Sequence, residues 1–246
     1  MGILSNAKAI LFDSGHTLNY PRTGSWFIPP NFFKYVDRTL FASIDQRRIN
    51  EAFSRALKYL DSNHSVPDEA TEYEQFTEFY RMVSSEFPEL EISNAAISEI
   101  AKDTVFNDEK FVFYDDVAEM IPKLSRNYML GIVSDTWPSL ERVYINAGLR
   151  GYFTTFVMSC ALGVYKPDPI MYRAALAELE IKPYEALFVD DSIKNVEGAK
   201  MLGMQSVLIL RKEKVKPEHD IEYNYITNLT ELESMLQESV AGEECV

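Results

Sequence analysis

The stretch Ala7-Lys8-Ala9-Ile10-Leu11-Phe12-Asp13-Ser14-Gly15 decides the fold. A short apolar run closed by turn residues reads as a strand buried on both faces, since a solvated face would impose polar residues at alternate positions. The same shape recurs at residues 129–134, 155–159, 186–190 and 205–210. Helical patterns lie between these runs, at 117–124, 139–147, 169–179 and 196–202. Alternating strands and helices imply right-handed βαβ units and a parallel sheet covered on both faces, an α/β fold. Ligands of such sheets sit outside the carboxyl ends of the strands, so the polar residues that close each run are the functional candidates.

Residues 21–113 have another texture. Ile49, Ala52, Phe53, Ala56, Leu57 and Leu60 recur at helical spacing, as do Tyr73, Phe76, Phe79, Tyr80, Val83 and Phe87, then Ile97, Ile100, Ala101 and Val105. Ser93 is placed to N-cap the last of these helices. The charged run from Glu69 to Glu78 reads as a solvated face. The block is expected to be an α-helical insertion, a cap domain of 21–113 set into a core of 1–20 and 114–246, with hinges near 20–23 and 113–116.

The chain has 246 residues, 46% hydrophobic and 25% charged, with Lys+Arg 24 against Asp+Glu 38 and a formal net charge of -14. That acid excess argues against nucleic acid as a partner, which needs a basic footprint, and against an anionic membrane surface. No apolar run approaches the ~20 residues of a membrane-spanning helix. The N-terminal residues lack the basic head and apolar middle of a secretory signal. Cys160 and Cys245 read as reduced thiols, so the expected location is cytoplasmic.

Asp13 closes the first strand, Ser134-Asp135 the second, Lys166 follows the third, and Asp190-Asp191 close the fourth. In a parallel sheet these converge on one edge. Three carboxylates beside a lysine and a hydroxyl invite a hard divalent cation such as Mg²⁺, which takes one or two carboxylates together with a substrate phosphate. A carboxylate can also act as the nucleophile that receives a phosphoryl group, while a lysine offsets the charge.

With Phe12-Asp13-Ser14-Gly15-His16-Thr17-Leu18, Gly131-Ile132-Val133-Ser134, Gly163-Val164-Tyr165-Lys166-Pro167-Asp168-Pro169 and Phe188-Val189-Asp190-Asp191-Ser192 in this order, the chain resembles the haloacid dehalogenase superfamily. Four motifs in sequence make the resemblance strong over the whole chain. The insertion between the first two is similar to the family's helical cap of the first type. The resemblance implies a Rossmann-like core and a role for each matching residue. Asp13 would be the nucleophile that forms an aspartyl-phosphate. Ser134 would hydrogen-bond the phosphoryl group, with Lys166 stabilising charge. Mg²⁺ would be held by Asp13, the Gly15 carbonyl and Asp191, with Asp190 as a further or supporting carboxylate.

Three positions depart from the family pattern. Gly15 stands where phosphatases usually carry a second Asp as general acid and base. His16 replaces a usual Gly, either as a surrogate acid beside the substrate or as a residue that fills the turn. Asp135 replaces a common Asn, and either meets the substrate or bonds backbone in its turn. A positioned acid or base is worth about 10²–10⁴-fold, so a phosphatase without it should act slowly on alkyl esters. The expected function is Mg²⁺-dependent hydrolysis of a small phosphorylated metabolite. The alternatives are a metal-independent 2-haloacid dehalogenase, against which Asp190-Asp191 argue, and a degenerate family member that only binds. Phosphonate-cleaving relatives use a cap lysine; Lys34 and Lys58 are available, but their surroundings do not match that motif.

Overall fold

The computed structural model describes residues 6–211 and 224–243. The chain divides into two compact units, one of residues 1–20, 113–136 and 144–246, the other of 21–112 and 137–143.

The first unit is built on a six-stranded sheet in the order β5-β4-β1-β6-β7-β8. Its strands are β1 (Ala9–Phe12), β4 (Met129–Ser134), β5 (Phe153–Met158), β6 (Ala186–Asp190), β7 (Gln205–Ile209) and β8 (Tyr225–Ile226). Every pairing in it is parallel. β1 and β6 are buried at every residue, which is why their sequences are continuous apolar runs rather than alternating ones. The helices of this unit are α5 (Val117–Leu124), α7 (Ser159–Leu162), α8 (Pro169–Glu178), α9 (Ile193–Met201) and α10 (Leu229–Glu243). α8 packs on β4 and β5, α9 on β6 and β7, and α10 against α5. Asp168 N-caps α8 by accepting from the Ile170 N–H at 2.9 Å, with Pro169 at the first helical position. β1 lies between β4 and β6, where the strand order reverses, so a crevice is expected at its carboxyl end.

Two short strands, β2 (Asn19–Pro21) and β3 (Phe111–Phe113), pair with each other where the chain passes between the units. Such short strands leave no alternation to read. Helix α6 (Ser139–Asn146) is divided between the units, since 137–143 cluster with the second.

The second unit holds α1 (Arg38–Ser43), α2 (Gln46–Ser62), α3 (Glu69–Ser85) and α4 (Asn94–Phe106). Its core contains Ala52, Ala56, Leu60, Phe76, Phe79, Tyr80, Val83, Ile97, Ile100 and Val105, the residues that recur at helical spacing. Ser93 caps α4, accepting from Ala96 N–H at 3.2 Å. The run from Glu69 to Glu78 is not wholly a solvated face, because Glu72 is 0% exposed. Its carboxylate accepts from the Ser139 backbone N–H at 2.8 Å and the Ser139 hydroxyl at 2.7 Å. Trp137 packs against the apolar core of this unit and donates from its indole N–H to Gln75 at 2.7 Å. Lys34 and Lys58 are exposed. The lysine this unit buries is Lys110, whose ammonium lies 4.9 Å from the centroid of the Phe111 ring and whose pKa burial pushes down to about 8, against the pull of Glu72.

Cys160 is buried, and Cys245 lies outside the described residues. Among the described residues no helix is long and apolar enough to cross a membrane.

Candidate active site

The sheet register places the site. Phe12 pairs with Ile132 of β4 on one side and Val189 of β6 on the other, so Asp13 leaves β1 beside the ends of both strands. Its backbone N–H donates to the Val189 carbonyl at 2.9 Å, which holds the residue in sheet geometry and fixes its side chain next to that of Asp190. Ser134 is the last residue of β4 and is buried.

Lys166 reaches these strand ends from the loop after α7. Its ammonium donates to Asp13 Oδ1 at 2.6 Å and Asp190 Oδ2 at 2.7 Å. The lysine side chain is 1% exposed, and Asp13 and Asp190 are also buried. Buried charges survive only when paired and hydrogen-bonded, and this set is. Burial alone would lower the lysine, yet Asp13 and Asp190 hold it well above its usual value. Burial, reinforced by Asp190 and Asp191, pushes the Asp13 carboxyl up to about 8, against the opposing pull of Lys166.

Asp190 is tied into its own loop. Oδ1 accepts from Ser192 N–H at 2.8 Å, and the Asn195 amide donates to Oδ1 at 3.2 Å and Oδ2 at 3.1 Å. Asn195 is thus a partner of Asp190 and fixes the carboxylate that aims Lys166. Asp135, just after β4, plays a similar part, accepting from Lys166 backbone N–H at 2.8 Å through Oδ1. The bond is to backbone of the lysine loop, not to backbone of its own turn. Gly198 lets α9 approach that loop, since a Cβ there would stand 2.5 Å from Pro167 Cβ.

The loop after Asp13 folds onto itself. The Ser14 carbonyl accepts from the N–H groups of Leu18 at 2.8 Å and Asn19 at 3.0 Å, and His16 N–H donates to the Asn19 carbonyl at 2.5 Å. His16 takes a left-handed backbone with φ 58, a conformation for which histidine is several-fold enriched. Its backbone therefore forms the turn. The Ser14 side chain turns into a buried polar cluster, where Asn19 donates to Ser14 Oγ at 2.7 Å and Tyr144 OH lies 2.9 Å from the same oxygen. Reading the sequence did not find this cluster, because Ser14 and Tyr144 are 130 positions apart.

Oxygens of Asp13, Asp190 and Asp191 lie within 4.8 Å of one another. Three carboxylates against one ammonium, at strand ends, form the all-oxygen donor set of a hard divalent cation rather than the nitrogen and sulfur set of zinc. The residues present fit Mg²⁺ on donor chemistry.

A family model described as haloacid dehalogenase-like hydrolase matches residues 36–209, which include Ser134, Lys166, Asp190 and Asp191 and begin after Asp13. Among curated relatives, glyceraldehyde 3-phosphate phosphatase of Methanopyrus kandleri is 26% identical over 227 residues, covering 87% of this chain and 89% of that protein. Phosphoserine phosphatase of Thermus thermophilus is 34% identical over 88 residues, 35% of each chain. A crystal structure of a phosphatase from Thermococcus onnurineus has the same fold, with TM-score 0.64, 24% identity, and coverage of 93% of this chain and 97% of that one. A 2-haloacid dehalogenase from Pseudomonas syringae shares it too, at TM-score 0.66 and 17% identity over 94% of this chain and 99% of that one. With a matching family model across most of its length and an α/β fold of the same kind, the chain belongs to the haloacid dehalogenase-like hydrolases.

Proposed function

We propose that this hydrolase is a Mg²⁺-dependent phosphatase that transfers the phosphoryl group of a small phosphomonoester to Asp13 and then to water. The observation that carries this reading is the Lys166 ammonium held between Asp13 and Asp190, beside Asp191. A dianionic phosphate entering an acidic crevice needs fixed positive charge there, since a chain of net charge -14 does not attract it from a distance. Asp13, the Gly15 carbonyl and Asp191, with Asp190 in support, would hold Mg²⁺, which would supply the remaining positive charge needed by the phosphate.

In the first step an Asp13 carboxylate oxygen attacks phosphorus and the P–O bond to the alcohol breaks, the alcohol taking its proton from water. Lys166 keeps the Asp13 carboxylate oriented, and Ser134 donates its hydroxyl to a phosphoryl oxygen. In the second step water attacks phosphorus, the bond to Asp13 breaks, and inorganic phosphate leaves with the carboxylate regenerated. Gly15 offers no acid or base to either step. Alkyl phosphates should therefore turn over more slowly than aryl or acyl phosphates, whose leaving groups need no proton. Helical residues 21–113 act as the cap that selects substrate in this reading. The names of the relatives make three-carbon phosphate esters the first metabolites to try.

The test is p-nitrophenyl phosphate hydrolysis with Mg²⁺ and with chelator, in the native protein and Asp13→Asn. Activity that needs Mg²⁺ and vanishes in Asp13→Asn is expected; Asp13→Asn with native activity sinks the mechanism. Gly15 favours a second reading, metal-free 2-haloacid hydrolysis, which halide release from 2-chloropropionate in the presence of chelator would establish instead.

A further inference from the structure

Arg211 follows β7 and is 5% exposed, yet the chemistry above makes no use of it. Its guanidinium donates twice to one backbone oxygen, the Thr17 carbonyl, from Nε at 2.9 Å and from the second terminal nitrogen at 2.7 Å. The first terminal nitrogen pairs with Asp116 Oδ2 at 2.7 Å. The face of the group lies over the Tyr114 ring, 4.2 Å from its centroid. Asp116 Oδ2 also accepts from Leu229 N–H at 2.7 Å, at the start of α10. Tyr114 N–H in turn donates to the Leu18 carbonyl at 3.1 Å.

These contacts meet on the far end of the loop that begins at Asp13. The near end is held by β1. Between them the loop is supported by its own turn on the Ser14 carbonyl, with His16 in a left-handed backbone. The hold on Thr17 and Leu18 adds to these contacts and fixes the far end of the loop that carries the Gly15 carbonyl and the Asp13 carboxylate. A guanidinium suits the task because its fork can grip one carbonyl with two N–H groups while a third faces a carboxylate; an ammonium, a compact point charge, cannot match that planar geometry.

From this geometry we infer that Arg211 is a positioning residue for the nucleophile loop, acting through Thr17 and aimed by Asp116 and Tyr114. The catalytic part of the inference rests on the phosphatase reading; the structural part does not. Arg211 also lines a cleft of about 600 Å³ with Tyr20, Tyr114, Asp116, Thr227 and Glu231, so the group can be replaced from solution once its side chain is removed.

The test uses the full chain, as Arg211→Lys and Arg211→Ala, read by amide hydrogen exchange and by Mg²⁺-dependent p-nitrophenyl phosphate hydrolysis. In Arg211→Lys the amides of Thr17, Leu18 and Asn19 should exchange about 10-fold faster while those of β4 and β6 keep their native rates. kcat should fall about 10- to 100-fold with KM little changed. Ethylguanidine should restore part of the activity of Arg211→Ala, and ethylammonium should not. Native exchange and native kcat in Arg211→Lys overturn the inference, as does equal acceleration across the whole sheet. A native protein inactive on phosphate esters, with the exchange effect intact, removes the phosphatase reading and leaves the hold on the loop standing. If neither Arg211 variant folds, Asp116→Asn should show the same pattern at smaller amplitude, and uniform or absent change there overturns it.

Discussion

Glu72 in the second unit and Asp13 in the first are both carboxylates taken almost wholly out of water, and each has a buried lysine for company. Their surroundings differ in kind. Glu72 is satisfied locally by two donors of one residue, the N–H and hydroxyl of Ser139, and Lys110 acts on it only through space. Asp13 has an ammonium on one oxygen and two further carboxylates close by, so the cluster carries more negative than positive charge. A buried acid whose bonds are all made internally holds a structure together. One left in acid excess at strand ends is where the proposed phosphatase would bind its cation and anionic substrate.

Removing the lysine of the first cluster should break this contrast with the largest effect. Lys166→Met leaves Asp13 and Asp190 facing each other in a buried site, which costs roughly 3–5 kcal/mol. Urea denaturation would read that loss, and phosphatase activity should fall by about 10²–10³-fold. Gly15→Asp tests whether the missing acid limits the rate. Hydrolysis of an alkyl phosphate should rise about 10²-fold, and that of an aryl phosphate less.

The second cluster should respond in stability alone. Glu72→Ala removes two charge-assisted hydrogen bonds and should cost about 1.5–3 kcal/mol in denaturation. The smallest effect is one of pH. Burial pushes His64 down to about 4, so it stays neutral in the folded chain. An unfolded histidine takes up its proton near ~6.5. The associated stability is therefore fully present above that value and is lost as pH falls through it towards 4, on the order of 1–2 kcal/mol by pH 5. Thermal denaturation at pH 7 and pH 5 should show this slope in the native protein and a flatter one in His64→Phe.

The comparison also shows what sequence reading reaches. Asp13, Ser134, Lys166, Asp190 and Asp191 were legible because each closes or follows an apolar run, and a parallel sheet brings such ends together. Three helices of the second unit, α2, α3 and α4, were legible from period alone, and α1 was not. Glu72 was misread within a charged run, although it stands four residues before Phe76 and seven before Phe79, on the face those residues bury. Asp135 was expected to meet the substrate or to bond backbone in its own turn, but its partner, the Lys166 N–H, depends on how loops from different strands meet. Arg211, with its grip on Thr17, and Tyr144, with its contact to Ser14, join residues far apart in the chain. No local pattern marks such pairs. The assignment of 137–143 to the second unit is of the same sort, since it follows from Trp137, Ser139 and their partners on α3.

In the proposed mechanism Gly15 leaves the attack of water on phosphorylated Asp13 without a positioned base, so that step should be slow enough for the intermediate to accumulate. Acid quenching during turnover of an aryl phosphate with Mg²⁺, followed by peptide mass spectrometry, measures it. A phosphoryl group on Asp13, absent in Asp13→Asn, is the expected result. Sustained release of phosphate with Asp13 unmodified at every quench time would contradict it.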